Sequence, residues 1–257
     1  MSALPVGGRQ DQVCRGRALE DGRVSRETPP VSVILPCYNE AGNIVPLIRS
    51  IRRQLGRSCE ILVMDDQSPD GTAEAARQAF ADDPAVIVQL RTQQRGFASS
   101  IRDGIERSRG ELIIVMDTDF NHDPALLEEL LRLSPHAEMV IASRFCPGGG
   151  MERKGYFVAS RLYNQFLRAV LGTCVDDNLF GYFVIRRELL LGLPFDDIFY
   201  GYGDYFFRLL WHVRRRAGRI IETPSFCKAR LSGTSKSSVV SMLTRYTIEA
   251  VKLRTRS

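Results

Sequence analysis

The chain has no C-x-x-C pair, no G-x-G-x-x-G turn and no Gly-Lys-Ser/Thr phosphate loop. It also has no apolar run near the roughly 18 residues that a membrane span needs. Six scattered cysteines (Cys14, Cys37, Cys59, Cys146, Cys174, Cys227) and only three histidines argue against a zinc site or a disulfide framework, and suit a reducing compartment. The first 30 residues are broken by Gly, Pro and charges and lack the apolar core of a signal peptide. They read as a flexible tail, and the protein is expected to face the cytoplasm. The turn after the first apolar run is "PCYNEAGN", too poor in glycine for backbone to approach a dinucleotide pyrophosphate. A nicotinamide cofactor is therefore not expected.

What is present is 257 residues, 44% hydrophobic and 25% charged, enough for one sizeable α/β domain. The net charge of +5 is unevenly spread. Residues 1–30 hold five Arg against four acids, while residues 228–257 hold seven Lys/Arg against one Glu. Basicity confined to one end disfavours a nucleic-acid-coating protein. It leaves two readings of the C-terminal segment, a solvated basic helix or a contact with something anionic.

From Val31 onward apolar runs alternate with amphipathic stretches. "VSVILP", "EILVMDD", "AVIVQL", "ELIIVMD" and "EMVIASR" read as strands. Residues 41–55, 71–80 and 96–108 and the run "DPALLEELLRL" read as helices, the last with Asp123 as N-cap and Pro124 in its first turn. This alternation predicts a mostly parallel sheet with helices on both faces, whose ligands bind beyond the carboxyl ends of the strands. The segments expected at that edge are "CYNE" (Cys37 to Glu40), "DDQSPDGT" (Asp65 to Thr72), "MDTDFN" (Met116 to Asn121) and "SRF" (Ser143 to Phe145). Beyond them, residues 158–171 read as a helix rich in apolar and basic residues. The last element, residues 237–253, carries Val239, Leu243, Tyr246, Ala250 and Val251 at helical spacing beside Arg245 and Lys252.

Asp70 followed by Gly71 and Thr72 reads as a helix-capping turn. Capping does not explain the consecutive acids Asp65 and Asp66, one of which is expected to face a base or ribose. Asp117 and Asp119 pose the same problem more sharply. In extended chain residues i and i+2 share a face, and two carboxylates so placed repel unless a cation lies between them. Oxygen donors suit Mg²⁺ or Mn²⁺, with Asn121 as a third donor and substrate phosphates completing the shell. A surface turn is the alternative. His122, without a partner at ligand spacing, reads as a loop or supporting residue. "RLSGTSK" (Arg230 to Lys236) is either a solvated turn or a pocket of cations and hydroxyls for a phosphate.

Together "VSVILPCYNEAGNI", "EILVMDDQSPDGT", "RGFASSIRDGIERSRGELIIVMDTDF" and "IASRF" resemble the inverting glycosyltransferases of family 2, over roughly residues 31–145. "SRLYNQFLRAVLG" and "RLSGTSK" bring the resemblance closest to the dolichol-phosphate mannosyltransferase group, which moves a sugar from a sugar nucleotide to a membrane-bound polyprenol phosphate. The resemblance implies a GT-A (Rossmann-like) domain over residues 31–236, with 237–257 as a membrane-associated amphipathic helix. It implies that Pro36, Tyr38, Asn39, Glu40, Asp66, Asp70, Asp117 and Thr118 bind the nucleotide-sugar. Asp117, Asp119 and Asn121 would hold the metal, though relatives often carry Gln in place of Asn121. Arg144, Ser160, Asn164, Arg230, Ser235 and Lys236 would meet the acceptor phosphate, with Asp119 and Arg144 central to catalysis.

Two departures concern the acceptor. Tyr156 stands where relatives usually carry a phosphate-binding Arg, and Phe183 where many have Arg. A phosphate acceptor needs no general base, because its second pKa is near 6. If the acceptor were a saccharide hydroxyl, Asp204 of "GYGD" is the one candidate base. A catalytically silent nucleotide-binding membrane subunit is the non-enzyme alternative. The basic end of the chain is expected to lie on an anionic leaflet, or an integral partner protein to supply the anchor.

Overall fold

The first apolar run folds as β1 (Val31–Cys37) with every residue buried, as a strand covered on both faces must be. The computed structural model describes residues 31–228 and 239–255, so the N-terminal tail and Arg230, Ser235 and Lys236 lie outside the described residues. After β1 come α1 (Ala41–Leu55), β2 (Cys59–Asp65), α2 (Thr72–Ala79), β3 (Val86–Leu90), α3 (Phe97–Arg107), β4 (Leu112–Val115), α4 (Leu127–Leu133) and β5 (Met139–Ser143). The second half holds β6 (Gly150–Met151), α5 (Lys154–Leu171), β7 (Phe183–Arg186), α6 (Arg187–Leu191), α7 (Phe195–Ile198), α8 (Tyr205–Arg215), β8 (Ile220–Pro224), β9 (Phe226–Cys227) and α9 (Val239–Thr255).

Seven strands form one sheet in the order β3-β2-β1-β4-β7-β5-β8, and β6 pairs with β9 separately. β7 runs antiparallel to both neighbours, and the other pairings in the large sheet are parallel. The sequence reading had no strand here, because "FVIR" is only four residues long and follows polar and aromatic turn residues. Its direction matters for function. A reversed strand presents the loop that precedes it at the edge where parallel strands present the loops that follow them. Residues 172–182 thus join the carboxyl-end loops of β1, β2, β4 and β5.

Alternation along the strands builds a core on each face. Val33, Leu35, Val63 and Ile114 pack with Ile44, Leu47, Ile48 and Ile51 of α1 and with Leu127 and Leu130 of α4. Ile34, Leu62, Met64, Ile113 and Val115 pack with Ala98, Ile101 and Ile105 of α3 and Leu209, Leu210 and Val213 of α8. α3 approaches closely enough that a Cβ on Gly104 would lie 2.6 Å from the Ile34 side chain.

A third cluster joins Leu167 and Leu171 of α5, Phe207 and Trp211 of α8, and Tyr246, Ala250 and Leu253 of α9. The C-terminal helix expected from the sequence is present, and one side of it packs on the domain. Tyr246, Ala250 and Leu253 of α9 are buried while Ile248 and Val251 stay exposed, and Tyr163 of α5 donates its hydroxyl to the Leu243 carbonyl, 3.2 Å away. Among the described residues no helix is long and apolar enough to cross a membrane.

Candidate active site

At the end of β1 the chain turns through Asn39 (φ 61°), whose N–H donates to Ser68 Oγ at 2.9 Å. The Glu40 N–H donates to Thr72 Oγ1 at 2.8 Å, tying this turn to the loop after β2. Asp70 is the knot. Its carboxylate accepts from the Thr72 N–H (3.1 Å) and hydroxyl (2.6 Å), and from the Ala41 N–H of α1 (3.0 Å). Burial pushes this carboxyl up, but those donors outweigh it and hold it below the usual range. The expected cap is therefore shared between two helices: Gly71 occupies the N-cap position of α2, and Asp70 braces the loops. Tyr38 is 44% exposed, with the Arg95 guanidinium 5.3 Å from its ring centroid.

The consecutive acids divide. Asp66 is buried, paired with Arg91, and accepts the Gly96 N–H at 2.7 Å. Asp65 accepts the Ser68 N–H at 2.7 Å through Oδ1, while its buried Oδ2 has no hydrogen-bond partner among the described residues. Asp65 is 0% exposed and Asp66 7%, so the partnerless oxygen of Asp65 is closed off from solvent.

β4 ends at Val115, so "MDTDFN" is a turn and not extended strand, with Phe120 at φ 61°. Strand alternation therefore does not place Asp117 and Asp119. A histidine does. The Asp117 N–H donates to His122 Nδ1 at 2.8 Å, so Nε2 carries the proton and donates to the Phe180 carbonyl at 2.9 Å. The ring is 1% exposed, stacked on Tyr182 (4.8 Å between centroids) and edge-on to Phe180 (4.5 Å). Burial, opposed by Asp119 and the Phe180 carbonyl, holds the imidazole neutral with its pKa down to about 4. Thr118 is buried, with its hydroxyl 3.5 Å from the Pro36 carbonyl.

The half-buried Asp119 carboxylate accepts the Asn121 N–H (3.1 Å) and amide nitrogen (2.8 Å). Asn121, the third donor expected for the metal, turns its nitrogen to Asp119 and its oxygen toward Cys227 Sγ, 3.9 Å away. In this arrangement Asn121 orients the Asp119 carboxylate. Two hard carboxylates, with the Asp117 side chain 32% exposed, fit a small divalent cation whose other positions come from diphosphate and water. Among the described residues no cluster of three His, Cys, Asp or Glu side chains offers a complete protein cage.

Arg144, at the end of β5, is held in a fork by Asp177, with Nε to Oδ2 at 2.7 Å and Nη2 to Oδ1 at 2.8 Å. The guanidinium lies 4.8 Å from the Phe180 ring centroid and 5.1 Å from that of Phe145. The loop carrying Asp177 was not singled out from sequence, and it is fastened residue by residue. Glu222 accepts the N–H groups of Asp176 (2.8 Å) and Asp177 (3.2 Å), and Asn164 Oδ1 accepts that of Asn178 (2.6 Å). Asn164 is fully buried and also donates to the Ser160 carbonyl at 2.8 Å. Asn164, which the resemblance sets at the acceptor phosphate, anchors the Asp177 loop. Its i, i+4 spacing from Ser160 was the visible signal, and its partner was not.

Asp204 does not face this edge as a free base. It is 1% exposed, paired with Arg208 at 2.7 Å, and accepts the Tyr202 N–H at 2.8 Å. Arg208 in turn donates to the carbonyls of Ile198 (3.0 Å) and Tyr200.

Burial raises the Glu222 carboxyl to about 7, against the opposing pull of its backbone donors. The folded state thus holds a proton that the unfolded chain releases near pH 4.5. Stability from this group is complete below pH 4.5 and is lost as pH rises through 7, by about 3 kcal/mol. Urea unfolding from pH 5 to 8 is expected to show this slope in the wild type and to lack it in Glu222→Gln. Parallel profiles would contradict it.

A parallel sheet with one reversed strand, and a carboxyl edge carrying paired aspartates, an aromatic platform and a clamped arginine, defines a nucleotide-sugar transferase fold of the GT-A type. The family model for glycosyl transferase family 2 matches residues 32–192, and the chain belongs to that family. It is 35% identical to an undecaprenyl-phosphate mannosyltransferase of Micrococcus luteus, over 81% of this chain and 87% of that protein. It is 32% identical to a polyprenol monophosphomannose synthase of Mycolicibacterium smegmatis, over 91% and 89%. A dolichol-phosphate mannosyltransferase of Pyrococcus furiosus is 29% identical over 80% of this chain, which spans only 58% of that relative's length. Among solved structures, glucosyl-3-phosphoglycerate synthase of Mycobacterium tuberculosis, in complex with Mn²⁺, UDP and glucosyl-3-phosphoglycerate, shares the fold with a TM-score of 0.67. That alignment covers 91% of this chain and 86% of that one at 21% identity.

Proposed function

We propose that this chain transfers a hexose, mannose first among the candidates, from a nucleoside diphosphate to the phosphate of a polyprenol lipid, with inversion at the anomeric carbon. The carrying observation is the clamped Arg144 beside the Asp117–Asp119 turn, in a chain whose relatives are named for sugar transfer to lipid phosphates. Tyr38, 44% exposed, stands where a base would lie. Asp117 and Asp119 would hold Mg²⁺ or Mn²⁺, which neutralises the leaving diphosphate when bound. Arg144 uses Nε and Nη2 on Asp177, and Nη1, with no hydrogen bond among the described residues, would meet the acceptor phosphate.

The acceptor phosphate is largely dianionic at pH 7 and attacks without a base. The enzyme's task is then to hold two anions in line. The enclosure of Asp204 by Arg208 is consistent with this reading and disfavours a hydroxyl acceptor, which would need that carboxylate open. With labelled GDP-mannose or UDP-glucose, polyprenol phosphate and Mn²⁺, the protein is expected to produce organic-extractable label. Absence of label with every common sugar nucleotide would sink the proposal.

A further inference from the structure

The ion pair of Asp204 with Arg208 is buried at both ends, each side chain 1% exposed. Among the described residues its hydrogen bonds reach none of the groups assigned to cation, diphosphate or acceptor phosphate. Two charges taken out of water cost free energy that only good geometry returns, so the pair needs a reason. What it holds is the short loop of residues 199–204. Arg208 donates to the carbonyls of Ile198 and Tyr200 and lies 3.7 Å from the Tyr200 ring centroid. Asp204 accepts the Tyr202 N–H at 2.8 Å.

The loop has two glycines, and both are pressed. Gly201 is at φ 73°, and a Cβ there would lie 3.0 Å from Asp204 Oδ1. A Cβ on Gly203 would lie 2.8 Å from the Tyr246 hydroxyl oxygen of α9. Between them stands Tyr202, a large ring 44% exposed on a backbone clamped from either side.

Its neighbours place it at the carboxyl edge of the sheet. The Tyr202 ring is 5.1 Å from that of Phe97, which opens α3 directly after Gly96, the residue whose N–H is held by Asp66. Three residues further on, the hydroxyl of buried Tyr205 lies 3.2 Å from where a Cβ on Gly181 would be, between Phe180 and Tyr182 of the His122 enclosure. Burial, and after it the charge of Asp117, push that hydroxyl's pKa up. Tyr202 thus stands between the Asp66 turn and the Asp117–Arg144 centre. A sugar joined to a diphosphate has to lie on that path, because its anomeric carbon meets the acceptor at the centre.

We infer that Tyr202 is the platform of the hexose subsite, its ring against the C–H face of the donor sugar, and that the Asp204–Arg208 pair serves to hold that ring in place. A hexose carries its hydroxyls around the rim and C–H bonds on its faces, and the negative face of an aromatic ring attracts polarised C–H groups. A tyrosine has two rotatable bonds and gives this area at low entropic cost. The contact reads a sugar ring rather than one pattern of hydroxyls, so it recognises hexoses as a class. The inference rests on the reading of the chain as a sugar-nucleotide transferase, and not on the lipid acceptor.

The test is calorimetry of the full chain with Mn²⁺, comparing GDP with GDP-mannose and UDP with UDP-glucose. For the sugar nucleotide that wild type binds, Tyr202→Ala is expected to weaken affinity ~10-fold. Affinity for the matching nucleoside diphosphate should stay within about twofold, which also reports an intact fold. Tyr202→Phe keeps the aromatic face and is expected to recover most of the loss. In transfer assays the alanine variant should raise KM for the donor and leave KM for the acceptor unchanged.

Equal loss of sugar nucleotide and nucleoside diphosphate would make Tyr202 a prop for the nucleotide loops and overturn the inference. So would a Tyr202→Ala protein that binds the sugar nucleotide as wild type does, a Tyr202→Phe protein as impaired as the alanine variant, or a wild type that takes no sugar nucleotide. A wild type that shows the platform effect but moves no sugar to polyprenol phosphate would sink the functional reading alone.

Discussion

Asp119→Ala is expected to reduce sugar transfer on the order of 10³-fold and to abolish its response to added Mn²⁺ or Mg²⁺. The carboxylate is half-buried in a turn whose shape is imposed by Phe120 at positive φ, and Asn121 holds it with two hydrogen bonds. A group so oriented in the unliganded protein loses little entropy when it takes up a cation and a diphosphate. Removing it leaves Asp117 as the sole remaining carboxylate of the pair, too little charge to hold a divalent ion against water. Asn121→Ala should act more mildly, by roughly 10- to 100-fold, because it loosens the ligand without removing it. Initial rates against cation concentration, together with Mn²⁺-dependent nucleotide binding by calorimetry, would measure both effects. Asp119→Ala with the wild-type rate and cation response would return "MDTDFN" to the status of a surface turn.

Asp204→Ala is expected to destabilise the protein by about 3–5 kcal/mol. Arg208 is 1% exposed and donates to Asp204 and to the Ile198 and Tyr200 carbonyls, so loss of the carboxylate leaves a buried cation without its counter-charge. Arg245, with its nearest nitrogen 3.6 Å from Asp204, stands too far off and too exposed to take over. Urea unfolding would register the loss. The milder Asp204→Asn decides the chemistry. If Asp204 braces the α8 terminus, activity per folded molecule survives; if it is a base for a hydroxyl acceptor, turnover vanishes in protein that remains folded.

The strands before residue 143 were legible because a buried parallel strand is a continuous apolar run, a property of adjacent residues. The edge rule then located the loops correctly, since it needs only strand direction. Within those loops, residue types were legible and partners were not. Asp70 looked like one cap and serves two helices. Asn121 had the right element for a ligand, and its hydrogen bonds to Asp119 were not visible in the sequence. His122 carried no distinguishing signal, because what defines it is the Asp117 N–H on one side and the Phe180 carbonyl on the other.

By itself the sequence determined a mostly parallel α/β sheet, the edge where its motif loops gather, the paired aspartates there and the family. Only the tertiary structure decided that β7 is reversed, which carries Asp177 to within 2.7 Å of Arg144 across 33 residues of chain. It also decided that Asp204 is locked in an ion pair, and which apolar residues of α9 meet protein (Tyr246, Ala250, Leu253) and which meet water (Ile248, Val251). The physical reason is common to all three. An apolar row or a carboxylate has the same local signature whether it meets a core, a membrane, a substrate or an arginine, and only packing selects which.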